Sequence, residues 1–129
     1  MNRYLTELEV RDSHLDDLTH VNNTVYVQWV QEIAGQHWFK LFPNSKIEEE
    51  YWVLLEHNIK YHGPAYLGDI LVVETCVEAP IGLRFPRIVQ FKREGKLIVE
   101  SRTEWCLVDA TTKKPKRVSA VILEKFSIA

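Results

Sequence analysis

The chain begins with an alternation of two kinds of side chain. Charged residues at Glu7, Glu9 and Arg11 point to one side, while the other side carries uncharged, mostly apolar side chains at Tyr4, Thr6, Leu8 and Val10. A period of two with one charged face predicts a half-buried β-strand. A polar loop follows this strand.

A long helix is predicted from Asn23 to Phe42. Its apolar side chains cover most of the circumference and leave only a polar stripe, so we expect the helix to be largely enclosed by other structure. Asn22 or Asn23 is a suitable N-cap, and Pro43 follows the helix as a stop signal.

After a charged loop at residues 46–50, the sequence predicts a succession of β-strands, because β-forming residues alternate between turn signals. The predicted strands are Tyr51–His62, Ile70–Glu78, Arg84–Arg93 and Lys96–Val108. Pro86 indicates that the third of these is an edge strand or contains a bulge. The last segment, Val118–Phe126, fits a strand or a short helix, and periodicity does not decide between them.

One long helix followed by an antiparallel meander is typical of an α+β fold, and a curved sheet wrapped around the helix is the simplest way to cover it. A chain of 129 residues has room for one core of ordinary size, so we expect a single domain over residues 1–129. Aromatic residues make up 11% of the composition, a heavy apolar load for so short a chain.

Charge and cysteine content exclude several classes of protein. The formal net charge is −2, and no basic footprint for nucleic acid or membrane lipid is present. The sequence has no apolar run of about 18 residues, and its N-terminus lacks the apolar core of a signal peptide. Cys76 and Cys106 form no disulfide or metal-binding pattern, so we expect reduced thiols in a cytoplasmic protein that binds neither nucleic acid nor membrane.

The candidate chemistry lies in the loop before the predicted helix and in its first turns. From His14 to Trp29 the sequence is HLDDLTHVNNTVYVQW. This segment resembles the signature D-x-D-x-x-G-H-V-N-N-x-x-Y-x-x-W/Y of the hot-dog-fold acyl-CoA thioesterases, the 4-hydroxybenzoyl-CoA thioesterase-like family. Asp16 matches the second aspartate of that signature, which is the catalytic one in the family.

Two later segments extend the resemblance to nearly the whole chain. Residues 59–69 are similar to the family segment i-x-Y-x-x-P-A-x-x-G-D, and Trp105–Asp109 with Lys114–Pro115 is similar to its late strand and turn. Two positions depart from the signature, since His14 replaces the first aspartate and Thr19 replaces the glycine before the histidine. Plant acyl-ACP thioesterases carry an asparagine where this chain has Leu18, which argues against their version of the active site.

The resemblance implies a site for thioester hydrolysis at the start of the helix. Asp16 would activate water or attack the acyl carbon directly, and the backbone N–H of Asn23 would polarise the thioester carbonyl. The first N–H groups of a helix lack intrahelical partners, and the helix dipole favours negative charge there. The same dipole accounts for Asp16 and Asp17 without catalysis, and Asn22 and Asn23 are equally explained as caps.

Five residues are assigned to substrate binding, and each also has a structural interpretation: His20, Asn22, Tyr26, Trp29 and His57. The alternative for His20 is a structural bond to nearby backbone, and the alternative for Asn22 is a helix cap. Tyr26 and Trp29 would be core aromatics, and His57 a core or interface histidine. A basic stretch follows in the sequence at Arg84, Arg87, Lys92 and Arg93, and it either meets the phosphates of coenzyme A or forms a solvated strand face.

The expected activity is hydrolysis of an acyl-CoA to coenzyme A and a free acid, without a cofactor or a metal, in a homodimer or a dimer of dimers. No Gly-x-Ser-x-Gly, P-loop, GxGxxG or zinc-ligand motif is present in the sequence. Two alternatives stay open: a non-catalytic acyl-CoA or acyl-carrier binding module on the same fold, and a hot-dog hydratase or dehydratase.

Overall fold

An antiparallel sheet and a long helix packed against it dominate the computed structural model, which describes residues 2–128. The strands are β1 (Arg3–Glu9), β2 (Glu50–Tyr61), β3 (Ile70–Val77), β4 (Phe85–Arg93), β5 (Lys96–Asp109) and β6 (Pro115–Lys116). The helices are α1 (Asn23–Leu41) and α2 (Ala120–Lys125), and Asp12–His14 forms a single 3₁₀ turn. The six-stranded sheet has the order β1-β3-β4-β5-β2, with β6 paired to β5.

The elements predicted from the sequence are confirmed with small shifts at their ends. The last segment is a helix rather than a strand, since α2 begins at a Ser119 cap whose hydroxyl accepts a hydrogen bond from the N–H of Ile122 over 3.3 Å. Pro86 is not on an edge strand, because β4 lies between β3 and β5. The missing N–H is tolerated there because pairing with β3 ends at Arg87, one residue further along β4.

The buried face of α1 explains why this segment is helical and where it sits. Asn22 caps the helix, and Phe42 ends it by donating its N–H to the carbonyl of Trp38 at 2.8 Å. The buried residues recur at helical spacing along one face: Tyr26, Trp29, Val30, Ile33, Ala34 and His37. The expected enclosure is incomplete, however, since Phe39 on the opposite side is 59% exposed.

Two apolar clusters divide the core along the helix. The first joins the N-terminal half of α1 to β3, β4 and β5 and includes Trp29, Val30 and Phe91. The second lies at the other end, where Phe126 and Ile122 from the C-terminal segment pack against Phe85 and Leu107 of the sheet. The short C-terminal helix therefore closes the end of the sheet that α1 leaves open.

The prediction of a solvated basic strand face is wrong for Arg87. This side chain points inward from β4, is 5% exposed, and its Nη1 donates to His37 Nδ1 at 2.9 Å. His37 is fully buried, and its other ring nitrogen lies 2.7 Å from Oδ1 of Asn2. Since Arg87 has only donors, Nδ1 of His37 must accept and Nε2 must carry the proton. Burial, followed by the charges of Arg87 and Lys40, lowers the pKa of His37 to about 4.

This histidine predicts a pH dependence of stability. Between pH 6.5 and about 4 the unfolded chain binds a proton at His37 that the folded chain does not. The free energy of unfolding should therefore fall as the pH drops through this window, by up to about 1.4 kcal/mol per pH unit. Urea unfolding at pH 7, 6 and 5 measures the slope, and the neutral variant His37→Gln should remove most of it. An unchanged slope in the variant would show that another group is responsible.

Candidate active site

A tight turn places Asp16 and His20 together directly before α1. Leu15 and Val21 pair as an antiparallel bridge, and the N–H of Asp16 donates to the carbonyl of His20 over 2.8 Å. The N–H of Val21 donates to the carbonyl of Ala65 at 3.0 Å, which anchors the turn on the segment that follows β2. The turn is thus fixed both by hydrogen bonds between its own two ends and by a hydrogen bond to a neighbouring segment.

The carboxylate of Asp16 is oriented by the backbone of this turn. Its Oδ1 accepts hydrogen bonds from the N–H of Leu18 at 2.9 Å and from the N–H of His20 at 3.2 Å. No hydrogen bond or ion pair engages Oδ2 among residues 2–128. Because the side chain is half-buried and one oxygen is fixed, the other is presented in a defined direction and free to act on a bound molecule.

The first turn of α1 combines a cap with an unused donor. Oδ1 of Asn22 accepts from the backbone N–H of Thr24 at 3.0 Å and from its hydroxyl at 2.9 Å. The N–H of Asn22 donates to the carbonyl of His14 at 2.9 Å. The N–H of Asn23 has no hydrogen-bond partner within the described part of the chain. Asn22 is therefore the residue that caps the helix, and the N–H of Asn23 stays unpaired at the helix N-terminus.

Both departures from the family signature have a structural explanation. Thr19 has a φ of 62°, in the left-handed region that favours glycine, so glycine would fit this position without strain and threonine carries strain there. His14 accepts a hydrogen bond from the N–H of Arg11 at its Nδ1, 2.9 Å away, and its ring packs edge-on against Trp29 with centroids 4.9 Å apart. His14 thus links the loop to the helix.

Tyr26 and Trp29 are core residues that support the site from behind. The Tyr26 ring packs edge-on against Trp29, Tyr61 and Phe91, with centroid separations of 5.5, 5.9 and 5.2 Å. Tyr26 is 2% exposed, and its hydroxyl is the one buried side-chain polar atom without a partner among residues 2–128. Burial, followed by the nearby Tyr61, raises the pKa of this phenol to about 12, so it stays protonated and able to donate.

The remaining sequence candidates are distributed over the fold. The His20 ring packs edge-on against Tyr66 at 5.2 Å, so Tyr66 joins the site although sequence reasoning did not name it. The only signal for it was its place in the family-like segment 59–69. His57 lies on β2, where its Nε2 is 2.8 Å from the hydroxyl of Ser101 on β5, and burial lowers its pKa. Among residues 2–128, His57 makes no hydrogen bond or ring contact with the turn that carries Asp16, which fits its interpretation as a core or interface histidine.

The basic stretch does not form one patch. Arg84 is exposed and pairs with Glu104 at 2.7 Å, and Arg93 donates to the carbonyl of Pro64 at 2.8 Å. Arg87 is interior and paired with His37, and sequence reasoning missed this pair. The signal was present, because alternation along the strand places Arg87 on the same face as Phe85 and Val89.

Neither a metal site nor a membrane span is found in the described residues. Across residues 2–128, no group of three or more His, Cys, Asp and Glu side chains is arranged to hold a metal ion. Neither helix in this range is long and apolar enough to cross a membrane. The cysteines, Cys76 and Cys106, are both free.

Comparison with known proteins gives a consistent result. A family model for the thioesterase-like superfamily matches residues 10–126. The long-chain acyl-CoA thioesterase FadM of Escherichia coli is 25% identical over 125 residues, which are 94% of this chain and 95% of FadM.

Solved structures confirm the predicted α+β hot-dog fold. A Staphylococcus aureus protein solved in complex with CoA has a TM-score of 0.88 at 12% identity, covering 98% of this chain and 82% of that one. A 1,4-dihydroxy-2-naphthoyl-CoA thioesterase from Synechocystis has a TM-score of 0.83 at 16% identity, covering 98% and 96%.

The strain at Thr19 predicts that a glycine there stabilises the protein. Relief of the left-handed conformation is worth about 1–2 kcal/mol, and the greater freedom of glycine in the unfolded chain offsets about 0.4–1 kcal/mol of it. We expect Thr19→Gly to raise the free energy of unfolding by up to about 1.6 kcal/mol in urea titrations. Thr19→Ala serves as the control, because it removes the hydroxyl and keeps the strain. A glycine variant less stable than the alanine variant would contradict this account.

Proposed function

Because this chain belongs to the thioesterase-like superfamily and is an enzyme of the acyl-CoA thioesterase type, we propose that Asp16 and Asn23 carry out the hydrolysis. The observation that carries the proposal is that the loop and the helix start each present one group without a hydrogen-bond partner. Oδ2 of Asp16 and the N–H of Asn23 both lack partners among residues 2–128, while the neighbouring Oδ1 of Asp16 and the Oδ1 and N–H of Asn22 make hydrogen bonds.

The N–H of Asn23 supplies the electrostatic part of the mechanism. The thioester carbonyl oxygen accepts this hydrogen bond and gains negative charge as the acyl carbon becomes tetrahedral. A fixed backbone donor at a helix N-terminus, with the helix dipole behind it, stabilises that charge without reorganising during the reaction. Asn22 supports this role by capping the helix, which holds the first turn in place.

The carboxylate of Asp16 supplies the base or the nucleophile. In one route Oδ2 takes a proton from a water that attacks the acyl carbon, and the thiolate of coenzyme A leaves. In the other route Oδ2 attacks the acyl carbon itself, coenzyme A leaves, and water then hydrolyses the mixed anhydride. Both routes end in a free acid and coenzyme A, and both use the same two groups.

Acyl-CoA is the proposed substrate class, and the cytoplasm is the proposed location. FadM acts on long-chain acyl-CoA, and the Staphylococcus aureus protein of the same fold was solved with CoA.

We keep His20 and Asn22 as residues at the substrate because they lie on the turn that carries Asp16. Tyr26 and Trp29 support that turn from the core, and His57 has a satisfied structural bond.

Replacement of Asp16 by asparagine tests the proposal with little change of structure. Asparagine keeps an acceptor oxygen for the N–H groups of Leu18 and His20 and removes the negative charge. We expect thiol release from a panel of acyl-CoA substrates to fall at least about 100-fold, the usual size of an acid–base contribution. Asp17→Asn, the exposed neighbour, is the matched control and should stay within a few-fold of the wild type.

Three outcomes would contradict the proposal, each in its own way. Unchanged turnover in Asp16→Asn would remove Asp16 from the mechanism. Tight acyl-CoA binding by the wild type without thiol release would favour the non-catalytic binding module. Addition of water to an enoyl-CoA would favour the hydratase.

We also propose that a second copy of the chain covers the β2 edge. β2 spans Glu50–Tyr61, ends the sheet on one side, and carries exposed apolar side chains, of which Leu55 is 46% exposed. The exposed Phe39 lies beside it, since Phe39, Tyr51 and Trp52 line a common cavity. Native proteins rarely leave so long an apolar edge unpaired.

A charge on this edge should prevent the assembly. We expect the wild type to be at least a dimer in size-exclusion chromatography with light scattering, and Leu55→Lys to be a monomer at the same concentration. Leu5→Lys is the control, because Leu5 is 60% exposed on β1, the opposite edge of the sheet. A monomeric wild type, or loss of assembly in Leu5→Lys alone, would exclude the β2 edge as the interface.

A further inference from the structure

An apolar cavity lies at the C-terminal half of α1, away from the proposed active site at its N-terminus. It has a volume of about 280 Å³ and lies between the C-terminal half of the helix and the ends of β3, β4 and β5. Its wall is mostly aromatic, formed by Trp38, Phe39, Trp52, Phe85, Trp105 and Phe126. Arg87 lines it as well, and none of its lining residues is acidic.

The positive charge of Arg87 has only neutral neighbours. Nη1 donates to Nδ1 of His37 and to the hydroxyl of Thr75, both at 2.9 Å, and the guanidinium carbon lies 5.9 Å from the ring centroid of Phe126. No carboxylate lies within ion-pair distance of Arg87 in the part of the chain that the structure describes. Proteins seldom bury a charge in this way, because desolvation is costly without a counter-ion.

Protonation states do not supply the missing negative charge. The low pKa of His37 makes that ring neutral at pH 7, and burial raises the pKa of the nearby Cys76 thiol, which therefore stays protonated. Burial lowers the pKa of Arg87 to about 10, which still leaves the guanidinium charged at neutral pH. A net positive charge is thus held against an apolar cavity.

One edge of the guanidinium remains available for a ligand. His37 and Thr75 both bond to Nη1, whereas Nε and Nη2 have no hydrogen-bond partner among residues 2–128. Neither atom belongs to the fully buried polar side-chain atoms without a partner, since Tyr26 Oη is the single such atom in that range. Nε and Nη2 together form the fork that binds a carboxylate through two parallel hydrogen bonds.

We propose that this cavity binds an amphipathic carboxylate, with its carboxylate on Nε and Nη2 of Arg87 and its apolar body against the aromatic wall. A single buried cation matches a monoanion better than a phosphate, which carries more charge. An engineered apolar cavity of about 150 Å³ binds benzene, so a volume of about 280 Å³ has room for an occupant with on the order of ten non-hydrogen atoms. Octanoate has this size. Binding at this cavity needs no turnover, so the inference does not depend on the proposed hydrolysis.

Binding of three probes with one apolar body tests the charge requirement on the wild-type protein. Isothermal titration with octanoate, octan-1-ol and octylammonium, below their aggregation concentrations, compares an anion, a neutral molecule and a cation. We expect saturable binding of octanoate, at least tenfold weaker binding of octanol, and no binding of octylammonium. Because Trp38, Trp52 and Trp105 line the cavity, octanoate should also change the tryptophan fluorescence with the same midpoint.

Variants then assign the effect to Arg87. Arg87→Gln removes the charge and keeps a side-chain amide that can donate to His37, so octanoate binding should weaken at least tenfold while octanol binding stays unchanged. Arg84→Gln is the control, because it removes an exposed cation just before β4. Absence of octanoate binding to the wild type, equal binding of octanol and octanoate, or an equal loss in Arg84→Gln would overturn the proposal. The wild-type comparison decides even if Arg87→Gln does not fold.

Discussion

Burial of α1 is the constraint on which the rest of the structure depends. The 19-residue helix carries an apolar face from Tyr26 to His37, and only a sheet of several strands has enough surface to cover it. The order β1-β3-β4-β5-β2 supplies that surface, and the C-terminal segment extends it with Ile122 of α2 and Phe126 directly after it. The C-terminal helix therefore also serves to cover apolar surface of α1.

The same packing leaves the start of α1 at the margin of the core, where chemistry becomes possible. A buried helix start would need all of its N–H groups satisfied, and here the Asn22 cap satisfies that of Thr24 and leaves that of Asn23 free. The turn that carries Asp16 is fixed by the Leu15–Val21 bridge and by Ala65. Strain at Thr19 is the cost of placing a non-glycine residue in that turn, and the surrounding bonds hold it there.

Local patterns in the sequence predicted the parts of this structure that local physics determines. Alternation along the strands, the apolar pattern of the helix and a cap signal at Asn22 or Asn23 were sufficient to place five strands and α1. Periodicity did not decide the last segment, which forms a helix where the Ser119 cap combines with the burial of Ile122 and Phe126, four residues apart. Strand alternation places Arg87 on an apolar face, but it cannot identify the hydrogen-bond partners of Arg87. Those partners, His37 and Thr75, are distant in sequence. The loop and helix start were recognisable as a motif, but the choice between Asn22 and Asn23 as the cap required the geometry.

Replacing the backbone amide of Asn23 by an ester tests most directly whether its free N–H stabilises the developing oxyanion. Incorporation of the α-hydroxy analogue at position 23 removes the N–H and keeps the side chain. The matched ester at Thr24 removes an N–H that is used only for the cap. The account predicts that thiol release falls about 10²–10³-fold with the ester at position 23 and less than about tenfold with the ester at position 24. An unchanged rate with the ester at position 23 would contradict the account.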